Sequence, residues 1–420
     1  MLHRYLYPVR GECFASTTCK QNVSNHEHRK KSFSLRSSFD TRRKAAHSGR
    51  TDQLRHIIYF MVIATVMVSN GLYATYPPIP IQHEYHHTIV PLCTSFPLIG
   101  DQSIIGRQLL SGVENYLKEF KHFTTEVDAG HLIIRHIKNN KESDDAGLEI
   151  IKSMILQSPL LLGLLGTDTF FSLIPALRRK QLCLLFPVEG NQELRALKLE
   201  NVIYFRPSYE KELEALVHYA ITLKHKTSIA ILYEASVWGK SLLVSLEKIL
   251  ARSNIKPVIT APYAQGTVEI ENALASIAPT SPNTNLNNCL FLGLSNLGVI
   301  QNLLKTSRGL DIAVTSVVPQ ASTSQLPIAQ EYRRAMRSFL TSHDDSPFYF
   351  EAFITLALLD KSLVRIGKNL TIPSLLQDLE SLRHENFKGL HLNFDPSDRS
   401  LSSAVWINPG LHHEWITYSN

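Results

Sequence analysis

Leu160-Leu161-Leu162-Gly163-Leu164-Leu165-Gly166-Thr167-Asp168-Thr169, followed after a short interval by Gln181-Leu182-Cys183-Leu184-Leu185-Phe186-Pro187-Val188-Glu189-Gly190, decides the fold class. Each apolar run is too short for a helix and shows no polar alternation, the pattern of a strand covered on both faces. Each ends on Gly, Thr, Asp or Pro, residues that stop regular structure and open a loop. Between them Phe170–Arg179 carries apolar residues at helical spacing. Strand, helix and strand in that order make a βαβ unit, and the two strands run parallel because a helix crosses between them.

The rhythm continues in both directions. Upstream, Thr88–Cys93 is strand-like and Ile104–Phe120 helical, with Leu109, Val113, Tyr116 and Phe120 on one face; His131–Ile137 is a strand and Leu148–Leu156 a helix. Downstream, strands are expected at Val202–Phe205, Ser228–Tyr233, Pro257–Ala261, Cys289–Leu292 and Ile312–Ser316. Helices are expected between them at Lys211–Lys224, Gly239–Ala251, Ile270–Ile277 and Asn296–Thr306. So many units exceed one modest sheet, and two doubly wound α/β lobes follow. After Pro319 the rhythm breaks into consecutive helices at Leu326–Thr341, Phe348–Ile366 and Ile372–Leu382. A strand-rich tail begins at Phe387, with a turn at Asp395-Pro396-Ser397-Asp398. The expected division is one lobe from residues 88–205 plus 320–372 and another from 206–318 plus 373–420.

Composition narrows the function. A chain of 420 residues, 44% hydrophobic and 19% charged, is not disordered throughout. The net charge of +6 is a property of the N-terminus. Of 43 Lys and Arg, 12 fall in residues 1–56 against 4 of the 37 Asp and Glu, leaving 31 basic and 33 acidic residues beyond. The folded part therefore has no footprint for nucleic acid. Residues 1–55 read as a disordered basic leader, or as sequence upstream of a true start near Leu54 or Met61. Within 56–74 the run Ile57–Ser69 is short for a membrane span, which needs ~20 residues, and fits a signal-peptide core. Leu72-Tyr73-Ala74 offers a cleavage point; retained, the same segment is a membrane anchor. Cys13 and Cys19 lie in the leader. Cys93, Cys183 and Cys289 sit in apolar runs without CxxC spacing and read as buried thiols.

Three motif matches fail on context. His83-Glu84-Tyr85-His86-His87 has zinc-protease spacing, but Pro77, Pro78 and Pro80 before it and a strand after it leave no helix to carry the ligands. Gly239-Lys240-Ser241 lacks the first glycine of a phosphate loop, since Glu234 stands there. Gly293-Leu294-Ser295-Asn296 lacks the second glycine of a nucleophile elbow, since Leu297 stands there. No catalytic set, metal cluster or cofactor motif emerges, so a non-enzyme without cofactor is expected.

The order of segments resembles the branched-chain amino-acid-binding family, the type I periplasmic substrate-binding proteins of ABC transporters. The resemblance is carried by Cys93–Gly100 with Gly112-Val113-Glu114, by Gly163–Thr169 with Phe186–Gly190, and by Phe205-Arg206-Pro207-Ser208-Tyr209. It continues through Ile229–Tyr233 with Trp238-Gly239, Ser316–Pro319, Tyr349-Phe350-Glu351-Ala352-Phe353, and Phe387–Leu390 with Phe394-Asp395-Pro396. It implies two doubly wound parallel-sheet lobes joined by three crossovers, closing like a hinge on a small polar ligand. It implies a periplasmic protein serving an ABC permease or, if membrane-anchored, a separate sensory partner. By position it assigns the ligand to Ser95, Thr167, Asp168, Thr169, Val188, Glu189 and Gly190 of the first lobe. From the second lobe it assigns Trp238, stacking on the ligand, with Ser295 and Ser316. Each Thr or Ser also suits a helix cap, and Trp238 also suits lobe packing. Where the amino-acid binders hold a carboxylate with Thr or Ser, the matching position here is Glu189 or Gly190. Like charges at 4 Å repel by ~1–4 kcal/mol, so the resemblance there favours a cation, an amide or another pose. Material recovered from the cell envelope should begin near Thr75; an intact Met1 would refute both processing and a late start.

Overall fold

The structure, a computed structural model, describes residues 89–100, 102–120, 131–136, 159–264, 290–299, 311–337, 346–410 and 413–418. All lie in the second of two units into which the chain divides, Tyr76–Asn420. The expectations for 1–55, 56–74, the motif at 83–87 and the helices at 148–156 and 270–277 lie outside the described residues.

Five short strands build the first sheet: β1 (Ile89–Ser95), β2 (His131–His136), β3 (Leu160–Leu164), β4 (Cys183–Leu185) and β5 (Val202–Ile203), with helices α1 (Ser103–Phe120), α2 (Thr167–Arg178) and α3 (Gln192–Ala196) between them. All pairs are parallel and the order is β2-β1-β3-β4-β5. Every residue of β3 and β4 is buried, which is why neither shows polar alternation. In this strand order the winding reverses between β1 and β3, and a crevice opens there at the strands' C-terminal ends.

The second lobe begins with α4 (Tyr209–His218), continued by a π-helical turn to Leu223. Then come β6 (Ala230–Glu234), α5 (Val237–Arg252), β7 (Ile259–Tyr263), β8 (Leu290–Gly293) and β9 (Asp311–Ser316). β6 pairs parallel with β7, and β8 with β9. The chain returns to the first lobe in α6 (Pro327–Ala335), α7 (Pro347–Ile366) and α8 (Ile372–Glu380), followed by the hairpin β10 (Glu385–Phe387) and β11 (Leu390–Leu392). α7 is apolar nearly all round and is buried accordingly; the close approach of α1 is set at Gly112, where a Cβ would lie 2.8 Å from that of Ala352.

One boundary differs from expectation. The sequence assigns residues 373–401 to the second lobe, yet Leu375, Leu379, Phe387, Leu390, Leu392 and Leu401 join the core formed by α1, α6 and α7. The apolar faces of α8 and the hairpin find their partner on the buried helix, so the chain crosses later. Val405 and Ile407, in β12 (Val405–Asn408), belong to the other core. β12 runs antiparallel to β9, and β13 (Ile416–Tyr418) antiparallel to β12, giving the second sheet the order β13-β12-β9-β8 and a mixed edge on a parallel frame.

Three crossovers join the lobes. The first and third run side by side, Tyr204 N donating to Arg399 O (2.9 Å) and Leu401 N to Tyr204 O (2.9 Å). The second leaves β9 at Ser316 and enters the first core at Val317 and Val318. Buried charge fastens this hinge. Arg206 donates to both oxygens of Glu351 on α7, at 3.0 and 2.7 Å, with both side chains almost wholly enclosed. Arg195 of α3 donates to the carbonyls of Glu189, Arg206 and Pro207 and to Asp398. Removing one member of a buried pair leaves the other charge uncompensated. Glu351→Ala should therefore lower unfolding stability by ~3–5 kcal/mol in urea titrations. A loss below ~1 kcal/mol, the range of exposed pairs, would show that Arg206 finds another counter-charge.

Candidate functional site

The C-terminal ends of β1, β3 and β4 deliver three loops to the switch point. Gly166, at φ +114°, makes the turn out of β3 and stands at the start of α2 without a side-chain cap. Phe186 holds φ +54° at the end of β4, a left-handed conformation that costs a bulky residue ~1–3 kcal/mol and persists only where its surroundings impose it. Here the imposition is visible: Phe186 N donates to Ile203 O (2.7 Å), and its side chain is packed in the first core.

The predicted residues divide by what they touch. Thr167 and Thr169 are half-buried and Asp168 is exposed, all in the first turn of α2. Thr167 Oγ1 donates to Glu189 Oε2 at 2.7 Å, and Asn191 N donates to Glu189 Oε1 at 2.9 Å. Glu189 thus ties the loop after β3 to the loop after β4, and it is only 3% exposed. Gly190 abuts the Tyr209 ring, 2.8 Å from where a Cβ would stand, and its carbonyl accepts from Tyr209 N. Val188 is core, its N–H donating to Leu164 O at 2.8 Å. Ser95 is wholly buried and its hydroxyl has no partner. In the second lobe, Ser236 caps α5 and sets Trp238 in its first turn, half-buried and edge-on to Tyr209 at 5.8 Å. Ser295 and Ser316 are buried. Ser295 donates to Glu212 through both N (2.9 Å) and Oγ (3.2 Å), whereas Ser316 Oγ donates to Val318 O (2.7 Å) and shapes the second crossover.

Sequence reasoning missed Tyr209, Glu212 and Thr315. Thr315 Oγ1 donates to Glu212 Oε2, so this carboxylate on α4 collects the ends of both β8 and β9. A signal was present: Tyr209, Glu212, Leu213 and Leu216 fall at i, i+3, i+4 and i+7, so Glu212 occupies an inward position on an amphipathic helix. A charge in such a stripe is paired or hydrogen-bonded.

Burial pushes the carboxyls of both Glu189 and Glu212 above the ordinary range, against the opposing pull of their hydrogen-bond donors and of Arg206. Across the cleft, α1 from the first lobe contacts the 3-10 turn Ser295–Val299 from the second, so the lobes meet in this structure. Among the described residues no cluster of His, Cys, Asp and Glu is placed to hold a metal ion.

A parallel-sheet lobe, a second lobe with a mixed edge, three crossovers and a cleft at the strands' C-terminal ends define a two-lobed α/β fold. Residues 94–297 match the family model described as periplasmic binding protein, and the fold of the chain is that of the type I periplasmic binding proteins. Solved structures agree on the fold. A possible leucine/isoleucine/valine-binding protein from Rhodopirellula baltica SH 1 is 22% identical, covering 79% of this chain and 97% of its own, with a TM-score of 0.67. A substrate-binding periplasmic protein from Ralstonia solanacearum is 19% identical over 78% and 100%, with a TM-score of 0.66. A branched chain amino acid ABC transporter protein from Thermus thermophilus, with bound valine, is 14% identical over 80% and 96%, at 0.64. No curated protein matches the chain.

Because folding raises both carboxyl pKa values, the folded chain binds those protons more tightly than the unfolded one. Their contribution to stability is complete below the ordinary carboxylate range and is lost as pH rises through the folded values. Glu212→Gln removes one such titration, so its melting temperature should fall less steeply with rising pH than that of the wild type. Parallel pH dependences of the two melting temperatures above the ordinary carboxylate range would refute the assignment.

Proposed function

We propose that this chain is an extracytoplasmic solute-binding protein, not an enzyme, that closes on a small polar ligand (an amino acid, an amide or a related compound) and delivers it to an ABC permease. The observation that carries the reading is the contact of α1 with the turn Ser295–Val299 across a cleft whose two walls are linked by the three crossovers. Ligand that touches both walls stabilises the closed form over the open one, so occupancy becomes a shape that a permease can read. In this reading Thr167, Asp168 and Thr169 form the first-lobe wall, Trp238 the facing wall, and Glu189 and Gly190 the floor between them. Ser95, Val188, Ser295 and Ser316 support that surface from behind. The segment 56–74 exports the chain, as signal or anchor. Among the described residues no helix is long and apolar enough to cross a membrane.

Native mass spectrometry of gently purified protein tests the reading: a small molecule should be carried at one per chain and released on unfolding. Trp238 should report it. Intrinsic fluorescence should change on rebinding, and Trp238→Ala should weaken affinity about 5- to 150-fold, ~1–3 kcal/mol, without a matching fall in melting temperature. Unchanged affinity in the folded variant would move the second-lobe wall elsewhere. Co-purification with a signalling protein in place of a permease would assign the same fold to sensing.

A further inference from the structure

The hydroxyl of Thr167 has one proton, and it is already spent. Thr167 Oγ1 donates to Glu189 Oε2 at 2.7 Å, while the other carboxylate oxygen is held by Asn191 N at 2.9 Å. A carboxylate offers no hydrogen, so the bond runs outward from Thr167, and the lone pairs of its oxygen are what remain for the cleft. The neighbouring side chain on the same turn, Asp168, is exposed and also accepts. Two nearby hydroxyls do not take over the donor's part, since Ser95 is 0% exposed and Ser316 Oγ is bonded to Val318 O. Thr169, half-buried on the same turn, keeps its own hydroxyl, so the preference argued here is that of the Thr167 position. Nor do the buried guanidiniums supply a counter-charge. Arg206 is engaged by both oxygens of Glu351, and Arg195 by Asp398 and three backbone carbonyls.

Resting on the solute-binding reading above, we infer that Glu189 sets the ligand specificity at the Thr167 position of the first-lobe wall by fixing that hydroxyl as an acceptor, so that it takes a hydrogen-bond-donating nitrogen head (amide, amidine or ammonium) in preference to a carboxylate. Glu189, 3% exposed in the floor of the site, is a positioning residue in this scheme, since it acts through Thr167. Gln in its place presents an N–H₂ toward Thr167 Oγ1. The hydroxyl proton is then free to point into the cleft, and the wall gains a donor.

The test is a set of calorimetric titrations in alkaline buffer with amide and carboxylate partners on one skeleton: benzamide against benzoate, butanamide against butanoate, and L-leucinamide against L-leucine. For the wild-type protein the amide member should bind at least about tenfold tighter, the scale of a hydrogen bond gained against a like-charge contact. Glu189→Gln should shift that ratio toward the acid by about tenfold or more. Thr167→Val, which removes the hydroxyl while keeping its volume, should bring the ratio near one even if Glu189→Gln folds poorly. Preference of the wild type for the carboxylate, or an unchanged ratio in either folded variant, overturns the inference and leaves solute binding standing. A panel silent throughout, with no small molecule carried by the native protein, overturns solute binding and the inference together.

Discussion

The bidentate pair between Arg206 and Glu351 joins parts of the chain 145 residues apart and sits where the first crossover leaves the first lobe. Burying two charges is costly in itself, and a well-packed apolar pair in their place is often no less stable. The pair matters through what it fixes. Arg206 also lies close enough to Glu189 and Glu212 to oppose the effect of burial on both carboxyls. One guanidinium thus ties the base of the hinge to α7 and partly offsets the effect of burial on a carboxylate in each lobe.

From that anchor the site follows by short links. Glu189 binds the loops after β3 and β4 together, and Glu212 binds the turn after β8 to the end of β9. Each lobe therefore presents its strand-end loops as a connected unit. Gly190 against Tyr209, and Tyr209 against Trp238, continue the contact from one lobe's loop to the other lobe's helix.

The strand–helix alternation was legible in sequence because β3 and β4 are buried on both faces and cannot hide among polar residues. The late helices were legible too, α7 through its almost unbroken apolar surface. The return crossing was not: α8 and the hairpin β10–β11 have apolar faces that suit either lobe, and only the packing against α7 decides between them. Of the site, the loop positions could be read from where strands end, but the direction of each side chain could not. Phe205-Arg206 and Phe350-Glu351 were read as separate signatures and are two halves of one ion pair. Glu189 reads in sequence as a group facing ligand and in the structure turns inward to Thr167 and Asn191. Hydroxyl and carboxylate orientation depends on partners distant along the chain, which no local pattern encodes.

The central claim is that the two lobes close on a small molecule about this charged hinge. The most direct measurement is the distance between spin labels at exposed Glu119 of α1 and exposed Lys248 of α5. It is taken on protein as purified and again after bound small molecules are stripped by unfolding and refolding. Closure predicts a narrow, shorter distance in the first state and a broader, longer distribution in the second. Identical distributions from protein shown to carry and then lose a ligand would contradict it.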